Sequence, residues 1–351
     1  MTTSSPSFKP GDVRTRADIR EELGGSPQGG ICPSREKETV VLYSDITSGE
    51  KYGYRDGWLR EEDRLGPVYE YTGAGTQGDQ TFAGVRGTGN AAILQHAEDG
   101  RTIHLFIAEG KVPGGGTKTH RYIGAFAVDE DRPYTVRRAL DEDRIERDVI
   151  VFRLRPIGLF HRSESDVIPP APETKVTFVQ AEASRRVRPP KLRKATKERN
   201  ASAATNVARV RDELTAAYAS VLGEEHHIVG RIEVQARDIE DTLVADLFDQ
   251  TQNTIFEPSA SSSRQATKDA FMQLLEISRY VESTESRPLR RMVLLPALPS
   301  ADLCDLLAEH NVGIIYRDTS GGFSEFQSSR PGPVPTGSSS FPCTGCPALT
   351  G

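Results

Sequence analysis

Long apolar runs are absent from this sequence. The longest, residues 40–43, 149–152 and 292–295, are far shorter than the roughly 18 apolar residues that a membrane helix requires. The first 12 residues are rich in Ser, Thr and Pro and lack the apolar stretch of a secretory signal. We therefore expect a cytoplasmic protein without a membrane partner.

Cysteine is also scarce. The chain has 4 cysteines in 351 residues, and Cys343 and Cys346 form a single C-x-x-C motif in a segment of Ser, Pro and Gly. A structural zinc site needs four ligands, which usually come from two such pairs. The cysteine content therefore excludes a disulfide framework and disfavours a zinc site.

An excess of positive charge is absent from the chain as a whole but present in one segment. The net charge is -6, yet residues 185–199 contain eight Lys or Arg against Glu198 alone. A dense basic segment in an acidic protein can lie against a phosphate backbone. We predict DNA backbone contacts for Arg185, Arg186, Arg188 and Lys191, while a solvated spacer remains the alternative.

The pattern of strands, turns and helices predicts two domains. Short strands separated by glycine turns over residues 11–156 favour a β-barrel or sandwich, with one helix at 15–23 that Gly24 and Gly25 end. Pro156 should stop the last strand, and a proline-containing basic linker should follow over 157–200.

The pattern of residues 201–320 predicts a helix, three strands, and then alternating helices and strands, which is an α/β domain. In residues 328–351, 14 of 24 are Ser, Pro or Gly, so we expect a disordered tail.

The first group of functional candidates is aromatic and glycine-rich. Tyr52, Tyr54, Tyr69, Tyr71 and the only tryptophan, Trp58, lie within 20 residues of one another around Asp56. Aromatic faces, a carboxylate and closely approaching backbone amides are what a pocket for a planar hydrogen-bonding base requires. Aromatic side chains that simply fill the core of a strand-rich domain are the alternative.

The order Tyr-x-Asp-Gly, then Tyr71-Thr-Gly-x-Gly75, then Asp79 resembles the SRA (SET and RING associated) family, especially the SRA-like domains of modification-dependent restriction proteins. The resemblance covers about residues 11–156 and implies a PUA-like β-barrel with flanking helices. Domains of that family turn a modified cytosine out of duplex DNA. The resemblance implies that Tyr54 and Tyr71 stack on the base and that Asp56 accepts from its amino group. The rest of the predicted base-binding set consists of Trp58, Thr72, Gly73, Gly75 and Asp79.

The second group of candidates lies in the C-terminal domain. The order helix, three strands, helix, strand, with Asp246 and Glu257 at strand positions, resembles the PD-(D/E)XK nuclease core. That resemblance implies that the two carboxylates hold Mg²⁺. Ser259 stands where the family has a lysine, and Lys268 on the following helix is the candidate replacement. Two ordinary strand-end carboxylates are the alternative.

Together these features predict an α+β protein that binds duplex DNA carrying 5-methylcytosine and needs no cofactor for binding. We expect it to cleave this DNA weakly or not at all. An active Mg²⁺-dependent endonuclease using Asp246, Glu257 and Lys268 is the first alternative. A protein that binds RNA or a modified nucleotide is the second alternative. The sequence leaves open whether the protein forms a homodimer.

Overall fold

A computed structural model describes residues 6–63, 65–181, 202–283 and 287–326 of the chain. The predicted disordered tail at 328–351 lies outside these residues. So do Arg185, Arg186, Arg188 and Lys191, for which backbone contacts with DNA are predicted. Within the described residues, no helix is long and apolar enough to cross a membrane.

The N-terminal domain is built on a nine-stranded sheet. Its strands are β1 (Val13–Thr15), β2 (Ile31–Ser34), β3 (Thr39–Ser44), β4 (Gly57–Trp58), β5 (Tyr69–Thr72), β6 (Thr102–Lys111), β7 (Lys118–Val128), β8 (Tyr134–Leu140) and β9 (Glu146–Phe160). The connected order is β2-β3-β6-β7-β9-β5-β4, and β1 pairs with β7 while β8 pairs with β9. Three helices accompany the sheet: α1 (Arg16–Leu23), α2 (Ile46–Gly49) and α3 (Gly84–Leu94).

The helix predicted near the N-terminus is confirmed. Thr15 and Asp18 form a capping box, in which each side chain satisfies a backbone N–H of the first turn. Ile19 and Leu23 are buried on the inner face. Gly24 follows with a φ of 71°, a conformation that glycine adopts without the steric cost of a Cβ.

The predicted end of the last strand at Pro156 is wrong. Strand β9 continues through Pro156 to Phe160, and Phe126 on β7 lies opposite the proline. The pairing of β9 with β5 ends at Leu154, so one edge of β9 is free of a neighbouring strand where the proline lies. A strand tolerates proline where no partner needs its missing N–H.

The C-terminal domain is a seven-stranded mixed sheet with helices on both faces. Its strands lie in the order β10 (Lys175–Gln180), β11 (Val229–Gln235), β12 (Thr242–Asp249), β13 (Thr254–Pro258), β14 (Arg290–Leu295), β15 (Val312–Arg317) and β16 (Phe323–Phe326). Helix α4 (Ala203–Glu224) packs on one face through Leu214 and Leu222, while α5 (Arg264–Glu282) and α6 (Ala301–Glu309) cover the other. The elements of residues 201–320 match the predicted order, whereas β16 was not predicted. The predicted linker at 157–200 is wrong in part, because it contains β10, which pairs with β11.

The two domains are joined by a buried ionic network. Arg137 on β8 makes a bidentate contact with Glu70 on β5, at 2.7 and 2.6 Å, and donates to Asp241 of the C-terminal domain at 2.7 Å. Arg153 lies 3.2 Å from the other oxygen of Asp241. Glu70 has no exposed surface. The N-terminal half of α4 adds an apolar contact, because Ala204 and Ala208 belong to the same core as Leu94.

Replacing Arg137 with methionine should lower the free energy of unfolding by about 3 to 5 kcal/mol, because a buried carboxylate loses its partner. Urea denaturation measures the loss. Arg209→Met is the matched control: Arg209 pairs with Glu213 one turn away at the surface of α4, so its cost should be at most about 0.5 kcal/mol. Adding Glu70→Gln to Arg137→Met should recover part of the loss. Equal stability of the two arginine variants would show that the network does not hold the domains.

Candidate functional site

Asp56 lies just before β4 and is held by two hydrogen bonds. Its Oδ1 accepts from the backbone N–H of Thr72 at 2.8 Å, and its Oδ2 accepts from the hydroxyl of Ser44 at 2.9 Å. Burial raises the pKa of Asp56 to about 6, against the lowering effect of these two donors. A carboxylate has about four acceptor positions. The side chain of Thr72 also bonds to Asp56, so the carboxylate keeps only part of this acceptor capacity for a donor from a ligand.

Tyr54 lies two residues before Asp56 and is partly exposed. Its hydroxyl donates to the carbonyl of Gly75 at 2.7 Å. The ring of Tyr52 lies 5.8 Å away, centroid to centroid, and the guanidinium of Arg147 lies 5.6 Å from the centre of the Tyr54 ring. Tyr54 is thus fixed in orientation beside the carboxylate while part of its ring remains accessible.

Tyr71 and Trp58 lie in the hydrophobic core. Tyr71 is 3% exposed, and its hydroxyl donates to the carbonyl of Gly30 at 3.0 Å. Trp58 has no exposed surface and packs edge-on against Tyr69. A base cannot reach Trp58 in this arrangement, so the structure places it as a packing residue, against the predicted base contact. These two residues therefore fit the alternative in which aromatic side chains fill the core of the domain.

The loop of residues 73–80 forms one wall beside Asp56. A Cβ on Gly73 would lie 2.7 Å from Oδ1 of Asn90, so only glycine fits there without a shift. Asn90, fully buried on α3, accepts from the N–H of Ala74 at 2.7 Å. Gln80 donates to the carbonyl of Gly73 at 2.6 Å and accepts from the N–H of Ile150 at 2.8 Å. The loop is thus tied both to α3 and to the edge of β9.

Asp79 and Thr72 also help to position this loop and Asp56. Oδ1 of Asp79 accepts from the backbone N–H of Asp148 at 2.9 Å. Thr72 is 4% exposed and presents its N–H to Asp56. Of the predicted base-binding set, the structure brings together Tyr54, Asp56, Thr72, Gly73 and Gly75. Asp79 anchors the far end of the same loop.

Arg147 is a residue of the site that the sequence did not reveal. It is fully buried, and its guanidinium donates to the carbonyls of Gly75 at 2.6 Å and Tyr52 at 2.7 Å. These carbonyls lie on the two segments that flank Asp56. The chain separation of 72 and 95 residues explains why no local pattern indicated this role.

In the C-terminal domain, Asp246 and Glu257 lie close together at the end of a strand ladder. Strands β12 and β13 pair at Leu247–Phe256 and two further positions, and the two acids are the next residues outward. The Nη2 atom of Arg211, on α4, lies 2.9 Å from Oδ2 of Asp246 and 2.7 Å from Oε1 of Glu257. Burial raises the pKa of Glu257 to about 7, against the opposing charges of Arg211 and Arg132.

Lys268 is not part of this group. Its side chain is exposed on α5, the helix that covers the face of the sheet opposite α4. Among the residues described by the structure, no group of three or more His, Cys, Asp or Glu could hold a metal ion. The two carboxylates and the arginine therefore fit an internal ion cluster better than a magnesium site.

Asp246 and Arg211 also line a cleft of about 750 Å³ between the domains. Its N-terminal wall includes Asp148 and Arg138. Arg231 on β11 donates to Asp148 at 2.8 Å across the cleft. The loop beside Asp56 is thus connected to β11 of the second domain through Asp148, since Asp79 accepts from the backbone N–H of Asp148.

Comparison with known proteins identifies the N-terminal domain. Residues 10–169 match the family model described as "ScoMcrA-like, SRA domain". The matched region extends beyond the predicted limit at 156. No curated protein sequence matches the chain.

Three solved structures illustrate the structural similarity. They are the type IV phosphorothioation-dependent restriction endonuclease ScoMcrA (22% identity, 44% of this chain, 29% of that chain, TM-score 0.31), the modification-dependent endonuclease AspBHI (18%, 41%, 68%, 0.29) and the SUVH5 SRA complex with hemi-methylated CG DNA (16%, 46%, 96%, 0.28). The chain covers only 29% of ScoMcrA.

Replacing Arg147 with methionine should lower the free energy of unfolding by about 2 to 4 kcal/mol, because two carbonyls lose a charged donor. Arg144→Met, at an exposed position of the turn that precedes β9, should change it by less than about 0.5 kcal/mol. Hydrogen exchange should also be faster in residues 73–80 of the Arg147 variant only. Equal exchange in both variants would mean that Gln80 and Asn90 hold the loop without the arginine.

Proposed function

We propose that the SRA domain formed by residues 10–169 binds duplex DNA that carries a modified cytosine, and that Asp56 contacts the base after it has left the helix. The observation that carries the proposal is the position of Asp56. This carboxylate is oriented by Thr72 and Ser44, lies beside a partly exposed tyrosine, and belongs to a domain whose family match is shown.

The chemistry of cytosine fits this arrangement. Its N4 amino group is a donor that carboxylates accept from, and Asp56 has acceptor positions left. Extruding a base costs a few kcal/mol, which stacking on an aromatic ring at about 1 to 3 kcal/mol per base can largely offset. Tyr54 supplies such a ring at the edge of the pocket. The hydrogen-bonded loop of Gly73 and Gly75 brings backbone groups close to the same space.

Tyr71 remains a proposed second stacking partner, but its ring would have to leave its core position. Because it is 3% exposed, Tyr71→Ala would create a core cavity costing roughly 3 to 5 kcal/mol. Loss of binding by that variant would therefore not identify a stacking contact. Tyr54, which is partly exposed, is the better position for testing base stacking by substitution with leucine.

The order of elements in the C-terminal domain resembles that of the PD-(D/E)XK core, and we propose that this domain cleaves DNA weakly or not at all. Ser259 cannot supply the positive charge of the missing lysine, and Lys268 is exposed on the opposite face. Loss of an electrostatic group at a reacting centre typically costs about 10² to 10³ in rate. DNA binding would then need no metal ion.

Binding to methylated duplex should weaken as the pH falls through about 6, because Asp56 then takes up a proton and cannot accept on that oxygen. A single group with a pKa of about 6 predicts a loss of up to about 10-fold at pH 5. Fluorescence anisotropy at constant ionic strength measures it. His104 and His120, whose pKa values burial lowers to about 4, stay neutral in this range.

Asp56→Asn is the control for that experiment. The variant should bind methylated DNA weakly, discriminate less against unmodified duplex, and lack the pH dependence. It should remain folded: the folded-state pKa of Asp56 exceeds the unfolded value of about 3.9, so this group's contribution to stability is present at low pH and is lost as the pH rises through 6. A pH profile identical to that of the wild type would assign the titration to another group.

Methylated plasmid incubated with the purified protein and Mg²⁺ or Mn²⁺ should be cut slowly or not at all, while gel shifts show methyl-dependent binding. Robust cleavage that is lost in Asp246→Ala would instead establish the nuclease alternative. Its further loss in Lys268→Ala would assign the missing positive charge to that lysine. Equal binding to RNA and to methylated duplex would favour the second alternative.

A further inference from the structure

Asp246 and Glu257, the acid pair of the C-terminal domain, already contact a positively charged side chain. A single nitrogen of Arg211 contacts both Asp246 and Glu257, at 2.9 and 2.7 Å. Glu257 is 1% exposed, and its Oε2 makes no hydrogen bond. Asp246 is about a third exposed, 31% for its side chain, and a positive charge between the two carboxylates stabilises the ionised form of both. The arginine supplies this charge.

A magnesium ion and this guanidinium cannot occupy the same place. Mg²⁺ binds oxygen at 2.0–2.1 Å in a nearly octahedral shell, so an ion bridging the two carboxylates would overlap the position of Nη2. No third acidic or histidine ligand completes a metal site in the part of the chain that the structure describes. The residues present therefore do not fit the metal that the nuclease resemblance implies.

We propose that Arg211 is the resident cation of this site and that it excludes divalent metal by direct competition for Asp246 and Glu257. The C-terminal domain then folds and binds its partner domain without metal. This inference concerns the acid pair alone and stands independently of what the SRA domain binds.

The position of Arg211 on α4 links the acid pair to the contact between the two domains. Arg211 lies on α4, whose preceding turns carry Ala204 and Ala208 into the N-terminal core. Thr205 on the same helix donates to the carbonyl of Leu94 at 3.3 Å. The cation of the acid pair is thus delivered by the helix that docks the two domains, whereas a metal ion would come from solvent.

The test compares Mn²⁺ binding by the full chain with and without the arginine. Electron paramagnetic resonance counts free Mn²⁺, and thermal melting in Mn²⁺ against EDTA reports stabilisation. The wild type should show no Asp246-dependent binding and no shift in melting temperature. Arg211→Ala should melt lower in EDTA, bind one Mn²⁺ more than the wild type, and recover part of its melting temperature in Mn²⁺.

Two controls make the result specific. Arg209→Ala, two residues away on α4 and paired with Glu213 rather than with the acid pair, should behave as the wild type. Adding Asp246→Asn to Arg211→Ala should abolish the gained binding. If Arg211→Ala does not fold, Arg211→Gln, which keeps the aliphatic part of the side chain and a polar end without the charge, takes its place. Asp246-dependent Mn²⁺ binding by the wild type, or no gain in a folded arginine variant, would overturn the proposal.

Discussion

The bidentate contact between Glu70 and Arg137 is the interaction on which the arrangement of the two domains depends. Glu70 is completely buried in the N-terminal sheet, and Arg137 extends its charge to Asp241 in the second domain. A buried ion pair of this kind is not expected to add much net stability compared with apolar residues. Its directional hydrogen bonds do define how the two sheets meet, since any other arrangement would leave a charge unpaired.

A second polar group extends the same interface toward the candidate base pocket. The carboxylate of Asp148 accepts hydrogen bonds from Arg138 of its own domain at 3.0 Å and from Arg231 of the other domain at 2.8 Å. The backbone N–H of Asp148 donates to Asp79. Glu233 completes the group by accepting from the N–H of Arg138. The loop beside Asp56 thus rests on residues that also hold the C-terminal domain, so a change in either domain alters the support of the other.

The two acidic sites show how environment separates carboxylates of the same type. Asp56 is held by neutral donors and retains free acceptor positions, which suits recognition of an amino group. Glu257 and Asp246 share a guanidinium, which offsets part of their negative charge and occupies one oxygen of each. Only the first arrangement leaves a carboxylate ready for a ligand. The protein as we propose it thus recognises DNA through one domain and uses the other as a metal-free partner.

The sequence by itself determined the type of the N-terminal domain, because the order of Tyr54, Asp56 and Tyr71-Thr-Gly-x-Gly75 is a local feature of the chain. It also determined the order of helices and strands in residues 201–320, since each depends on short-range periodicity. Only the tertiary structure decided that Tyr71 and Trp58 face the core while Tyr54 remains accessible. Short strands carry too few residues for their pattern to show which face is buried. The roles of Arg147 and Arg211 were likewise decided in three dimensions, because each acts on groups at least 35 residues away along the chain, where no local pattern connects donor and acceptor.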